Sequence, residues 1–173
     1  MAPEQALLQD QSLHAPLFSL RGQTHWAKCV KCYDADSIHI VILFQNNFVR
    51  FRCRLQGIDT AERRSKNAKE RAHAIQARDW LVDTIFNQLI VVTCGDFDKY
   101  GRLLVTVHLP EHSTHADQHG GGNQDATPTT QAAPTIDLAT SRHINQELVN
   151  LGYAYVYDGG KRKRFEVWCN GQM

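Results

Sequence analysis

No stretch of the chain approaches the roughly 20 consecutive apolar residues of a spanning helix, so the sequence offers no candidate for one. Net charge is almost absent: 19 Lys and Arg against 18 Asp and Glu leave +1. Together with 42% hydrophobic and 21% charged residues, this excludes a disordered polyelectrolyte, a coiled coil and a collagen-like chain. There is no internal repeat. Five cysteines are an odd number without framework spacing, which requires no oxidising compartment. Met1 to Leu20 has neither a basic n-region nor a long apolar block, so no secretory signal is expected and the expected location is intracellular. What is present, 173 residues with an ordinary apolar content, fits one globular domain.

Near-neutrality hides segregation. Residues 48–74 carry eight Lys and Arg against Asp59, Glu62 and Glu70, and 161–164 read Lys-Arg-Lys-Arg. Residues 111–142 carry four carboxylates against Arg142. Basic patches attract polyanions, although a solvated face is the plainer reading of any one of them.

Residues 1–24 lack clear periodicity and are expected to be an N-terminal extension to a single domain over 25–173. Strands are predicted over Trp26–Tyr33, Ser37–Phe44 and Phe48–Leu55. The last alternates Val49, Phe51, Cys53 and Leu55 with Arg50, Arg52 and Arg54, a period of two that sets three arginines on one face. Gln45-Asn46-Asn47 is a turn signal, because Asn tolerates positive φ. A helix is predicted from Ala68 to Phe86, with Ala74, Ala77, Leu81 and Ile85 in an apolar stripe. Leu89–Thr93 and Leu103–Leu109 are further strands. Residues 110–140, rich in His, Gly, Thr and Pro, read as a flexible insertion. A helix from Arg142 to Leu151 capped by Gly152, a strand Tyr153–Tyr157 and a last helix Lys161–Trp168 complete the chain. This order fits an α+β fold with a five-stranded OB-type β-barrel and three helices.

Three segments carry chemistry when combined: Asp34-Ala35-Asp36-Ser37, the stretch Arg54 to Glu62, and Asp98-Lys99-Tyr100-Gly101-Arg102. Asp36 and Asp59 at strand ends are hard oxygen donors suited to Ca²⁺ or Mg²⁺. Arg54 and Arg102 are planar, permanently cationic and suited to bidentate contact with phosphate. In this order, around a helix, the segments resemble the staphylococcal nuclease (thermonuclease-like) family, from about Trp26 to Leu109 and again from about Ser141 to Trp168.

The resemblance implies a five-stranded OB-style barrel with three helices and Ca²⁺-dependent hydrolysis of phosphodiester bonds in DNA, RNA or both, with little sequence specificity. It further implies that Asp36, Asp59 and the Thr60 carbonyl hold Ca²⁺, with Asp34 behind them. Arg54 and Arg102 would stabilise the transition state, and Glu62 would act as base or orienter for the attacking water. Lys99, Tyr100, Tyr155 and Tyr157 would contact substrate, a nucleic acid with single strands preferred. The alternative is a nucleic-acid-binding module of the same fold with weak or no catalysis; a purely structural barrel would have no use for the polar set. The family usually has Gly where Ala35 stands, Thr where Ser37 stands and Pro where Ala61 stands.

Other signals are discounted. Cys29-Val30-Lys31-Cys32 resembles a metal or redox pair, but positions i and i+3 of a regular strand face opposite sides. His112, His115, Asp117 and His119 lie in a Gly-rich stretch that reads as polar loop. Lys161 to Arg164 is equally a nucleic-acid patch or an exposed helix face. Arg50 and Arg52 share the face of Arg54, and for one or both the expectation is only that they shape the field around the site.

Overall fold

The computed structural model describes residues 3–9, 11–12, 14–110, 138 and 140–169. The histidine-containing stretch discussed above lies outside them. Five strands close into a barrel: β1 (Thr24–Asp34), β2 (Ser37–Phe44), β3 (Asn47–Leu55), β5 (Leu89–Phe97) and β6 (Leu103–Leu109). β1 pairs with β2 and β5, β2 with β3, and β5 with β6, all antiparallel. The ring shuts through a parallel pairing of β3 with β6 at Cys53–Leu103, Arg54–Leu104 and Leu55–Val105. Two-residue β7 (Arg142–His143) adds to β6, and β4 (Ile58–Thr60) pairs with β8 (Ala154–Val156). The α+β, OB-type barrel expected from the sequence is therefore the observed fold.

Alternation builds the barrel. Ile38, Ile40 and Ile42 of β2 face inward, with Cys53 and Leu55 of β3 and Val105 and Val107 of β6, and all are buried. The β2–β3 hairpin turns through Gln45 and Asn46, both at positive φ, as a type I′ turn needs. At Gly95, where β5 shifts register against β6, an added Cβ would meet Gln56 Oε1 at 2.7 Å and Leu104 Cβ at 3.2 Å. Strand β5 runs on to Phe97, four residues past the predicted end, because this bulge lets it continue pairing.

Among the described residues four helices accompany the barrel, where three were expected. The predicted ones appear as α2 (Ala68–Ile85), α3 (Ile144–Asn150) and α4 (Phe165–Cys169), and α1 (Pro3–Gln9) is additional. Asn67 caps α2, its side chain accepting from Lys69 N at 2.9 Å. Ala74, Ala77, Leu81 and Ile85 are the buried face of α2, as the stripe predicts. Ahead of β1, Leu20 is fully buried in the core and Gly22 N donates to Cys94 O at 2.8 Å.

One local expectation is overturned. Cys29 and Cys32 lie on the same side of β1, with their sulfurs 3.7 Å apart. The cause is a register shift between Cys29 and Lys31, which leaves both Val30 and Lys31 exposed and returns Cys32 to the inner side. Among the described residues no third ligand joins the pair into a metal-binding cluster.

Buried Asn145 ties α3 to the barrel rim. Its Oδ1 accepts from Val107 N at 3.0 Å, and its Nδ2 donates to Gln56 O at 3.0 Å and Val105 O at 3.2 Å. Asn145→Ala leaves Val107 N and Val105 O without these partners in a buried setting. It is expected to lower the unfolding free energy by about 3 kcal/mol, measured by urea denaturation. A loss below about 1 kcal/mol would show that water replaces the amide there.

Candidate active site

Four segments meet around one open cleft of about 800 Å³. They are the β1–β2 turn with Asp34, Asp36 and Ser37, the run from Arg54 to Glu62, the β5–β6 turn from Asp98 to Arg102, and residues 157–162. Strand register does the first assembly step. Ser37 pairs with Arg54 across β2 and β3, and Leu55 N donates to Asp36 O at 2.8 Å, so Asp36 and Arg54 are neighbours.

Arg54 is the hub. One of its terminal nitrogens donates to Asp36 Oδ2, and the other donates to Asp59 Oδ1 at 2.7 Å and Ile58 O at 3.2 Å. Asp36 and Asp59 therefore lie within the span of a single guanidinium. Both carboxylates are nearly sealed, at 6% and 2% exposure. Burial pushes the Asp36 carboxyl above the ordinary carboxylate range, and Arg54 and the Ser37 hydroxyl (2.8 Å) reverse this only in part. Burial pushes Asp59 upward too, but bonds from Tyr155, Arg54 and Arg162 outweigh it and hold its carboxyl low.

Arg162 was not singled out in the sequence. It donates to Asp59 Oδ2 from Nε at 2.5 Å, to Thr60 O at 2.9 Å and to Glu62 Oε1. One guanidinium thus gathers the carboxylate, the carbonyl and the glutamate to which cation-binding and base roles were expected. Residues on both sides hold it there. Tyr155 and Trp168 rings pack 5.2 Å apart, Phe165 and Trp168 5.6 Å, and Lys163 N donates to Tyr155 Oη at 3.0 Å. Nothing local marks Arg162 among the four cations of 161–164. The only signal is context, a Gly159-Gly160 turn before it and two large aromatics after it.

The remaining expected residues are placed as follows. Arg102 lines the cleft, its Nε donating to Asp98 Oδ2 at 2.7 Å and Nη1 reaching Ser37 Oγ at 3.4 Å. Lys99, Tyr100 and Tyr157 also line it, with Tyr100 exposed and Lys99 Nζ 5.1 Å from the centre of its ring. Tyr155 is different: it is 5% exposed, and its hydroxyl donates to Asp59 Oδ2 at 2.7 Å. Its place is beneath the carboxylate rather than on the cleft wall. Asp34 pairs with Arg63, whose guanidinium stacks 4.7 Å from the Tyr33 ring centre. Ala35 is buried without positive φ, so the turn has no need of glycine. Ala61 packs among Ala74, Tyr155, Phe165 and Trp168, which fixes the loop leading to Glu62.

A closed five-stranded barrel carrying a cleft of paired carboxylates and guanidiniums defines a small α+β protein of the OB-type barrel class. The family described as staphylococcal nuclease homologue matches residues 52–167, two thirds of the chain, and the chain belongs to that family. Asp34, Asp36 and Ser37 stand before the matched span, and the β2–β3 register brings them in. A search among curated proteins finds none that matches. No described helix is long and apolar enough to cross a membrane.

The two arginines should differ in structural weight. Arg54→Met strips two buried carboxylates of their shared partner and is expected to lower stability by roughly 3–5 kcal/mol in chelator. Arg162, whose side chain is 45% exposed, should contribute only about 1.5 kcal/mol by Arg162→Ala. Urea denaturation of both variants checks the ranking, and equal losses would contradict the hub role of Arg54.

Proposed function

We propose that the protein is a Ca²⁺-dependent nuclease that hydrolyses phosphodiester bonds of DNA or RNA with little sequence preference. The observation that carries this reading is the convergence of Asp36, Arg54, Asp59, Glu62 and Arg102 on one cleft. Family membership supports it, since such proteins are typically nucleases and generally Ca²⁺-dependent.

The residues present fit a hard dication. The donors are oxygens only: the Asp36 and Asp59 carboxylates and the Thr60 carbonyl. Burial holds the Asp36 carboxyl up and Arg54 offsets this only in part, so a bound cation would favour its charged form. Among the described residues no cluster of three or more ligating side chains occurs, and Ca²⁺ sites of six to eight oxygens draw readily on carbonyls and water. A bound dication supplies positive charge against the phosphoryl oxygens as they gain charge.

The chain's own groups do the rest. Arg54 and Arg102 place fixed guanidiniums where the phosphorus takes on a fifth ligand and negative charge grows. The Glu62 carboxylate takes the proton from the attacking water, and release from Arg162 frees it to do so. Tyr155 and Arg54 hold Asp59 ionised. Lys99, Tyr100 and Tyr157 line the path of the neighbouring nucleotide. A second reading, binding without efficient cleavage, rests on Arg162: while it bridges Asp59, Thr60 and Glu62, neither the cation cradle nor the base is available.

The test is cleavage of single-stranded DNA and RNA with Ca²⁺, with Mg²⁺ and with chelator. Cleavage is expected with Ca²⁺ and lost on chelation. Glu62→Gln and Arg102→Ala are each expected to lower kcat by ~10²–10³-fold with an unchanged circular dichroism spectrum. Full activity in chelator, or an unimpaired Glu62→Gln protein, would falsify the corresponding role. Tight binding with no cleavage under any of the three conditions selects the second reading.

A further inference from the structure

The outer face of β1, β2 and β3 carries charge that the cleft does not use. Outward residues fall into cross-strand rows. The row at the cleft is Arg54–Ser37–Asp34. The next is Arg52–His39–Lys31, and the one after is Arg50–Val41–Lys28. Beyond them stand Phe48, 83% exposed and paired with Leu43, and Trp26, 39% exposed and next to the Ala27–Ile42 pair.

Three observations set this face apart from an ordinary solvated surface. First, Asp34 is the one carboxylate in all three strands, and it is already paired with Arg63. Second, among the described residues Lys28, Lys31, Arg50 and Arg52 take part in no salt bridge. Third, His39 sits amid Lys31, Arg50 and Arg52 with no carboxylate among the described residues to offset them, and burial and these cations keep its imidazole below its ordinary range. Like charges gathered this way are mutually repulsive, and an anion laid across them relieves the repulsion.

We propose that this face is a binding track for single-stranded nucleic acid, running from the cleft row across the two cationic rows to the aromatic pair Phe48 and Trp26. The proposal rests on the nuclease reading of the cleft and extends the same substrate away from the scissile bond. Strand rise puts successive rows about 6.8 Å apart, a step comparable to that of an extended polynucleotide strand. Cations meet phosphates, and exposed rings stack on unpaired bases, which a duplex keeps turned inward. The commitment is therefore to single strands.

The test uses the full chain in chelator, so that substrate stays intact, with fluorescence anisotropy of a labelled thymidylate dodecamer and a dithymidylate. Arg50→Gln/Arg52→Gln removes two positive charges from the track. Lys69→Glu, on exposed α2 surface, changes net charge equally and serves as control. The double variant is expected to bind the dodecamer on the order of tenfold more weakly, with a salt dependence shallower by about 1.4, two single-strand phosphate contacts at about 0.7 each. The dithymidylate, too short to leave the cleft, should not distinguish the double variant from the control. Dodecamer should also quench a component of tryptophan emission that Trp26→Phe abolishes. If the double variant matches the control in dodecamer affinity and salt slope while the wild type binds and cleaves, the track is wrong and the nuclease reading stands. If the wild type neither binds nor cleaves either oligonucleotide, both fail together.

Discussion

The Arg54 guanidinium, shared between Asp36 and Asp59, is the contact on which the site depends. Two carboxylates at 6% and 2% exposure would repel each other and lose their hydration if left alone. Arg54 solves this only because the β2–β3 register sets it beside Asp36 and because β4 follows at once with Asp59. The barrel closure is part of the same arrangement, since Arg54 also stands opposite Leu104 where β3 meets β6. Fold and site are therefore coupled. Closing the barrel brings the two acids together, and the guanidinium makes their burial tolerable.

Charge counting around that hub explains the place of Arg162. Asp36, Asp59 and Glu62 bring three negative charges to adjoining positions, and Arg54 and Arg162 answer two of them. Burial is the main cause of the raised Asp36 carboxyl, and the neighbouring carboxylates add to it only in a minor way. A dication in place of the Arg162 guanidinium would bring the cluster to neutrality. Under the proposed Ca²⁺ dependence the two cations are alternatives at one electrostatic position. On the proposed function, the arginine keeps the acids folded while they wait for the ion.

The parts legible in the sequence were those written in local pattern. The alternation in Phe48–Leu55 announced both the strand and the shared face of its arginines. The apolar stripe on Ala68–Phe86 announced α2, and three short motifs announced the cleft. The parts that escaped depend on distant partners. A bulge in β1 is invisible in Cys29-Val30-Lys31-Cys32, because nothing in those four residues says that β2 will slip by one against them. Arg162 is chemically equal to its neighbours in the run 161–164 until Tyr155, Phe165 and Trp168 pack and choose it. Tyr155 and Tyr157 look alike two residues apart, yet Tyr155 lies within β8 with its hydroxyl on Asp59, while Tyr157 follows the end of the strand and lines the cleft.

The two faces of β3 show how one strand serves stability and recognition at once. Cys53 and Leu55 point inward and are buried. Arg50, Arg52 and Arg54 point outward, and among the described residues only Arg54 meets carboxylates. Had the same three cations been placed on a helix, successive turns would have swept them around the axis. A period of two instead keeps them in line, aimed at the cleft. Among the described residues no carboxylate pairs with Arg50 or Arg52, so on the proposed track their field draws a polyanion toward the one arginine of the strand that is committed to the acids. On that reading the strand carries attraction at its far end and chemistry at its near end, a division for which a protein needing only a stable barrel would have no use.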